Sequence, residues 1–337
     1  MDYRALASVT AAAAIAFAQP VIYLAQEANK AVEVLAAARK AIGDKKLDAL
    51  KTFSIQGSLQ RNANNMQFSS EIEIVLDLPD KYLRQETPVG GGGISFSGAG
   101  PTGFNGDRLL QKVNAGGMPG GGGMVIRMGG GPMAPPSGEK PTPEQMEQMT
   151  KNLLRSSRME ASRLMLGWFA MAHPAANAQY TFAGEAESPD GKAYVIDVTN
   201  ADNFTARLFI DQQTSLPLMV TYKAPLPRMM TAGAGAAATG AGGGHVVRAQ
   251  PQSGRELSED ERNKLRADAE KQLQDMQRQP PALVDFAVYF EDWREAEGVK
   301  FPFKMRRATE GTTTEEWTVT RIKINPKVDP KRFAGES

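Results

Sequence analysis

Residues 66–80, with the sequence MQFSSEIEIVLDLPD, decide the fold class because an apolar side chain recurs at nearly every second position. Apolar side chains alternate with polar and acidic ones, as in a long β-strand with one buried and one solvent-exposed face. Pro79 and Asp80 predict a turn, and residues 81–86 begin the partner strand. The apolar positions are Met66, Phe68, Ile72, Ile74, Leu76 and Leu78. The segment therefore predicts an antiparallel meander.

Helical patterns lie on both sides of this meander. Over residues 29–50 the apolar side chains recur near helical spacing, with Gly43 and Asp44 as a break, which predicts a helix or a pair of helices. The sequence Thr142-Pro143-Glu144-Gln145 predicts a helix start, with a capping Thr, Pro at the first helical position and Gln at the third. That helix is expected to run to about Ala172, because Pro174 stops it.

The remaining alternating segments predict further strands. They cover residues 104–113, 180–184, 194–200, 204–211, 217–223, 284–290, 299–305 and 313–324. With the helices, they predict an α+β fold built on an antiparallel sheet, in a single domain over residues 30–335.

Two glycine-rich stretches interrupt this pattern and are interpreted as insertions. Residues 88–140 are rich in Gly, Pro and Met, and apart from 104–113 they predict loop, because such a composition buries too little apolar area to offset its backbone entropy. Residues 225–281 combine Ala-Gly repeats with a charged helix that begins at a capping box, Ser258 to Glu261, and ends near Gln279.

The first eighteen residues predict an export signal. Residues 5–18 form an alanine-rich apolar run that ends in Ala16-Phe17-Ala18, the small-x-small pattern of a signal-peptidase site. Cleavage after Ala18 and a periplasmic location are the working prediction. An uncleaved N-terminal anchor, with the apolar run continuing to Ala25, is the alternative.

Composition excludes several classes of function. The 39 basic and 38 acidic side chains nearly balance, which argues against a nucleic-acid binder. The absence of cysteine excludes disulfides, thiolate metal sites and cysteine nucleophiles. The G-x-G-x-x-G match at residues 98–103 lacks the strand and helix that a dinucleotide site needs. We therefore expect no catalytic residues, no metal and no cofactor.

The few candidate catalytic side chains have simpler interpretations. Only His173 and His245 are present, and His173 lies at a helix end, where an imidazolium can cap carbonyl groups. The pairs Glu291-Asp292 and Glu315-Glu316 resemble acid–base pairs, but neighbours on a strand point to opposite faces. These four carboxylates are interpreted as solvated turn and strand charges.

The order of several short motifs resembles one family. The motifs are a strand, polar turn and Leu-Pro at residues 208–217, Asp292-Trp293-Arg294, GVKFP at 298–302 and an ending at residues 324–333. In this order, with the opening helix and the long strand, they resemble the LolA-like family of periplasmic lipoprotein and lipid carriers. RseB-type sensors share that fold.

The resemblance implies a strongly curved, unclosed antiparallel half-barrel with helices over its open side and an apolar cavity between them. The implied lining residues are Phe68, Ile72, Ile74, Leu164, Trp168, Phe169, Leu208, Val220, Phe286 and Phe301. The sixteen methionines suit either such a cavity or an ordinary core.

Two functions follow as hypotheses. The first is an exported, non-enzymatic carrier that binds a lipid or the acyl chains of a lipoprotein, with peripheral membrane contact compatible with that role. The second is an envelope-stress sensor or scaffold of the same fold, which binds an envelope protein through the insertions or the charged helix at residues 259–279.

Overall fold

The computed structural model describes residues 19–63, 66–89, 101–111, 142–188, 191–225 and 283–334. The α-helices are α1 (Gln19–Ile42), α2 (Lys45–Asp48) and α3 (Pro143–Phe169), and 3-10 helices cover Pro174–Ala176 and Pro330–Phe333. The predicted helical pair before the first strand is confirmed, with its break at Gly43 and Asp44. Each helix in these ranges is too short or too polar to cross a membrane.

The described residues form one antiparallel sheet of twelve strands. The strands are β1 (Thr52–Ala63), β2 (Met66–Asp77), β3 (Lys81–Pro88), β4 (Thr102–Asn105), β5 (Arg108–Leu109), β6 (Gln179–Ser188), β7 (Gly191–Thr199), β8 (Thr205–Asp211), β9 (Pro217–Pro225), β10 (Leu283–Ala296), β11 (Val299–Thr309) and β12 (Thr312–Ile324). Their spatial order is β5-β4-β3-β2-β1-β12-β11-β10-β9-β8-β7-β6, with β5 and β6 at the two ends, so the sheet does not close. The predicted α+β class and meander are confirmed.

The contacts of α3 show that the sheet is curved. This helix touches β4 near one end of the strand order and β8 near the other. Arg158 and Arg163 are only five residues apart, about 7.5 Å along the helix axis, yet Arg158 donates to the Gly106 carbonyl in the turn after β4 and Arg163 lies against Tyr222 on β9. In a flat sheet β4 and β9 would lie seven spacings apart, roughly 34 Å, which is too far for two such neighbouring side chains to reach. The sheet therefore wraps around α3, and the predicted half-barrel is confirmed.

Strand β1 was not predicted, although it joins the two halves of the sheet by pairing with β2 and β12. Its inward positions include Phe53, Ile55 and Leu59, but Gly57 occupies the inward position between the last two. The register with β12 shifts at Gln56 and Gly57, and a Cβ at residue 57 would overlap the carbonyl oxygen of Thr318. The bulge that bends the strand thus also removes its apolar alternation.

The single strand predicted over residues 104–113 is wrong. The chain instead makes the short hairpin β4–β5, because Asn105-Gly106-Asp107 forms a turn in which Gly106 has a φ of 58°. Residues 112 and 113 lie outside the described ranges.

Helix α3 begins as predicted and ends earlier. The Oγ1 of Thr142 accepts the Gln145 backbone N–H at 3.3 Å, and the Gln145 side chain accepts the Thr142 N–H at 2.9 Å. The helix ends at Phe169 rather than near Ala172, because Ala170 adopts the left-handed conformation with a φ of 51°.

The convex face of the sheet carries a second, smaller core. Val75, Leu83, Leu110 and Phe333 pack together there. Arg332 forms an ion pair with Glu73 at 2.6 Å, and the Asn105 side-chain amide donates to the Phe333 carbonyl at 3.0 Å. The C-terminal 3-10 helix therefore covers β2 and β3. This explains why Val75 is buried although the alternation of β2 places it on the outer face.

Candidate functional site

The ten side chains predicted to line a cavity are all buried, and nine of them belong to the main core between α3 and the concave face of the sheet. They come from β2, α3, β8, β9, β10 and β11, and they are Phe68, Ile72, Ile74, Leu164, Trp168, Phe169, Leu208, Val220, Phe286 and Phe301. Phe68 is the one outside that core cluster. The fold therefore gathers them on one inner surface, where helix side chains cover the sheet. Their role in ligand binding stays a prediction.

Aromatic rings fill one end of this inner surface. Phe53 is the centre, with ring centroids 5.0 Å from Phe169, 5.3 Å from Phe301 and 5.9 Å from Trp168. The Trp168 indole N–H donates to the sulfur of Met305 at 3.1 Å. Sequence reasoning missed Phe53 because it missed β1. We call this set, Phe53, Trp168, Phe169 and Phe301, the aromatic cluster.

A glycine lets α3 approach the sheet beside the aromatic cluster. Gly167 faces Phe290 on β10, and a Cβ at residue 167 would overlap the Phe290 ring. Both residues are buried. Because helix interiors disfavour glycine, its use here is explained by the close contact rather than by helix stability.

Charged side chains fill the opposite end of the inner surface. We call this set the charge network: Arg61, Arg84, Glu86, Glu160, Arg163, Arg307 and Glu315. Arg61 binds Glu86 at 2.6 Å and Glu315 at 2.9 Å. Glu160, from α3, accepts from Arg307 at 2.7 Å and from Arg84 at 3.0 Å. These bonds tie the helix to strands on both sides of β1 and β12.

The charge network holds its carboxylates ionised. Burial alone would raise the pKa of Glu86, but Arg84 and Arg61 outweigh it and lower that pKa to about 2. Burial also opposes ionisation of Glu160 and Glu315, yet their pKa values are lowered, chiefly by Arg307. Six of the network's seven side chains form ion pairs within it.

The interpretation of Glu315 as a solvated charge is wrong. Its residue is 4% exposed, whereas Glu316 is exposed, so the two neighbours do point to opposite faces. The available signal was strand phase, since Glu315 lies two residues before the inward Trp317 and Arg307 two residues after the inward Met305. Charged residues at inward positions on separate strands indicate a buried network.

A groove of about 650 Å³ opens at a different place, between α1 and the connection from α3 to β6. Leu35 and Met171 lie in it, and Val32 at its wall is 65% exposed. Arg39 crosses the groove and hydrogen-bonds Asp48 at 2.7 Å. The other lining residues include Ala36, Ala170, Ala172, Pro174, Ala178 and Tyr180, and the ten predicted residues are not among them.

His173 lies at this groove as a neutral acceptor, not as the predicted imidazolium. Burial lowers its pKa to about 4, and its Nδ1 accepts the backbone N–H of Ala175 at 3.2 Å. Its ring packs edge-on against Phe104, with centroids 5.2 Å apart. The other histidine, His245, lies outside the described residues. No group of three or more potential metal ligands occurs in the part of the chain that the structure describes.

Comparison with known proteins finds similarity in structure. No protein-family model matches the sequence, and no curated protein matches it as a relative. A LolA superfamily protein from Nitrosomonas europaea is 10% identical with a TM-score of 0.44, and the match covers 90% of this chain and 96% of that one.

Two further solved structures match at low identity. A putative outer membrane lipoprotein-sorting protein domain from Vibrio parahaemolyticus is 9% identical, with a TM-score of 0.39, over 91% of this chain and 97% of that one. MucB, in its complex with MucA from Pseudomonas aeruginosa, is 13% identical, with a TM-score of 0.18, over 89% and 99%. The chain resembles LolA-like proteins both in its sequence motifs and in the solved structures that it matches.

Proposed function

We propose that this protein is an exported, non-enzymatic carrier that holds an acyl chain of a lipid or lipoprotein between α3 and the curved sheet. One observation carries the proposal: the sheet wraps around α3, whose inward face at the aromatic cluster is apolar. Leu164, Trp168 and Phe169 lie on that face and are at most 2% exposed.

At the aromatic cluster, side-chain packing holds α3 against the sheet, so a ligand that replaces this packing can displace the helix. An acyl chain that replaced Trp168 and Phe169 against Phe53 and Phe301 would meet the same kind of surface. Each methylene removed from water contributes about 0.8 kcal/mol, so a long chain can offset the lost packing without any catalytic group.

The groove beside α1 supports the proposal as the place where a chain first binds. Its volume of about 650 Å³ lies within the range of small-molecule sites, roughly 300–1,000 Å³. Ala170, which caps α3, and Met171 both line the groove, so a chain bound there touches the end of the helix that must move.

Tryptophan emission tests this proposal. Each tryptophan is left alone in turn by changing the other two to Phe, and palmitate is titrated. Trp168 should respond most, because it lies in the interface that opens. Trp293 and Trp317, on strands β10 and β12, give the comparison. A silent Trp168 in folded protein that has taken up palmitate would place the acyl chain elsewhere.

The alternative function is that of an envelope sensor or scaffold, which would bind a partner protein through residues that lie outside the described ranges. Deleting residues 232–279 separates the two functions, because a carrier should still take up palmitate whereas a sensor should lose its partner. Native mass spectrometry of protein isolated from its own envelope identifies a co-purifying lipid, and the mass of the mature chain tests cleavage after Ala18.

A further inference from the structure

The charge network contains one cation more than it can pair. It has four arginines and three glutamates, which leaves a formal charge of +1. Arg61, Arg84 and Arg307 each lie within 4.0 Å of at least one carboxylate. Among the described residues, Arg163 has no carboxylate at that distance. The surplus charge therefore belongs to Arg163 on α3.

Aromatic rings surround the Arg163 guanidinium without neutralising it. Its central carbon lies 3.8 Å from the ring centroid of Tyr222 and 5.8 Å from that of Phe204. Its Nε atom is fully buried and has no hydrogen-bond acceptor among the described residues. Burial lowers the pKa of Arg163, which indicates a cation removed from water without full compensation.

Arg163 is also within reach of solvent. The residue as a whole is partly exposed, although its Nε is buried. The other three arginines of the network already have carboxylate partners and are 13% exposed or less. An anion arriving from outside therefore meets the one guanidinium of the network that lacks a partner.

Apolar side chains continue from Arg163 along the inner surface. Tyr222 stacks on Phe286, with centroids 5.1 Å apart and ring planes 8° from parallel. Val220 precedes Tyr222 on the same face of β9 and pairs with Leu208. Leu208, Val220 and Phe286 belong to the inner surface proposed to hold an acyl chain. The Arg163 guanidinium therefore lies at one end of a continuous apolar surface.

We propose that Arg163 binds the oxyanion headgroup, carboxylate or phosphate, of an acidic amphiphile whose acyl chain lies along Leu208, Val220 and Phe286. This inference rests on the carrier function proposed above and names its ligand class. The headgroup supplies the missing negative charge, so the bound state contains four cations and four anions. A guanidinium presents paired N–H donors to such a group, and hydrogen bonds to charged groups are stronger than neutral ones.

Ligand pairs of equal chain length separate headgroup recognition from acyl-chain burial. Binding of palmitate and of hexadecanol is measured by titration calorimetry for the wild type, Arg163→Gln and Arg155→Gln. The control, Arg155, is an exposed arginine on the same helix. Hexadecyl phosphate and inorganic phosphate are added as separate probes, so that carboxylate, phosphate ester and free anion are compared.

We expect wild type and Arg155→Gln to bind palmitate or hexadecyl phosphate about 10- to 100-fold more tightly than hexadecanol. In Arg163→Gln this preference should fall to within about twofold while hexadecanol binding stays unchanged, and Arg163→Lys should restore part of it. Since the substitution removes an uncompensated cation, the variant should fold, which thermal unfolding checks.

Three results would overturn the inference. If Arg163→Gln kept the full preference for the acid, the headgroup would bind elsewhere while the carrier function stood. If inorganic phosphate bound as tightly as hexadecyl phosphate, Arg163 would be a free-anion site. If the wild type bound neither palmitate nor hexadecanol, the carrier function itself would fail, and the ligand class with it.

Discussion

The two ends of the inner surface hold α3 by different physics. At one end the aromatic cluster packs α3 against the sheet through apolar rings. An acyl chain can replace these contacts because hydrophobic contact is not directional. At the other, Glu160 must meet Arg84 and Arg307 at hydrogen-bond distances, which only one placement of the helix satisfies. The comparison suggests that the charge network fixes where the helix lies while the aromatic cluster is the part that can open.

The largest effect should come from removing a carboxylate from the charge network. Glu315→Gln leaves Arg61 and Arg307 without part of their compensation in a buried site. We expect the free energy of unfolding to fall by about 3–5 kcal/mol. Denaturant unfolding measures this loss. The matched control is Glu316→Gln on the exposed face of the same strand, which should change stability by less than about 0.5 kcal/mol. Equal effects at both positions would mean that the buried network does not stabilise the fold.

Acid should act on the groove before it acts on the charge network. His173 has a pKa of about 4 when folded against about 6.5 when unfolded, so the unfolded chain binds the extra proton between these values. Its contribution to stability is present above pH 6.5 and declines as the pH falls to 4, by up to about 3 kcal/mol. Unfolding midpoints across pH 7 to 4 should fall in the wild type and fall less in His173→Gln.

The network carboxylates respond at lower pH. Because the pKa of Glu86 is lowered to about 2 from 4.5, its contribution is present above pH 4.5 and is lost as the pH falls toward 2. The wild type and His173→Gln should therefore lose stability in parallel below pH 4. If the stability of the two proteins falls with different slopes below pH 4, then His173 and the network carboxylates do not titrate in separate pH ranges.

A smaller effect is expected at the apolar end from Gly167→Ala. The added methyl group overlaps the Phe290 ring and should push α3 outward, at a cost of about 1–3 kcal/mol. Because the charge network stays intact, the variant should remain folded and take up palmitate faster. The double variant Gly167→Ala with Phe290→Leu makes room for the methyl group and should recover most of the stability. Failure to recover would show that the close approach at residue 167 is not the cause.

Sequence patterns predicted the parts of the fold that repeat a simple period. The alternation in β2 and the capping residues of α3 were read directly, because a strand period and a helix cap are local properties. The position of β1 was missed because Gly57 interrupts its apolar alternation at the bulge. The convex core was missed because Val75 becomes buried only when Phe333, from the far end of the chain, covers it.

The candidate site was predictable in the same uneven way. The ten predicted apolar residues are all buried, and those on strands could be chosen because inward phase can be read from alternation, while their role in ligand binding stays a prediction. The charge network was not predicted, although the inward phase of Arg307 and Glu315 was readable, because its members meet only through the pairing of separate strands. A lone charge at an inward position looks like an error in the pattern until its partner on another strand is known.

The charge network also has a consequence for how the chain assembles. Arg61 and Glu315 are 254 residues apart in sequence and face each other across β1 and β12, the pair that joins the two halves of the sheet. A slip of one residue would turn Arg61 to the wrong face, and a slip of two would place it opposite Thr313 or Trp317, where it would lose its ion pair with Glu315 and keep only the one with Glu86. Hydrophobic pairing alone tolerates a slip of two, whereas the arginine does not. The ion pair between Arg61 and Glu315 therefore favours the native register of β1 against β12.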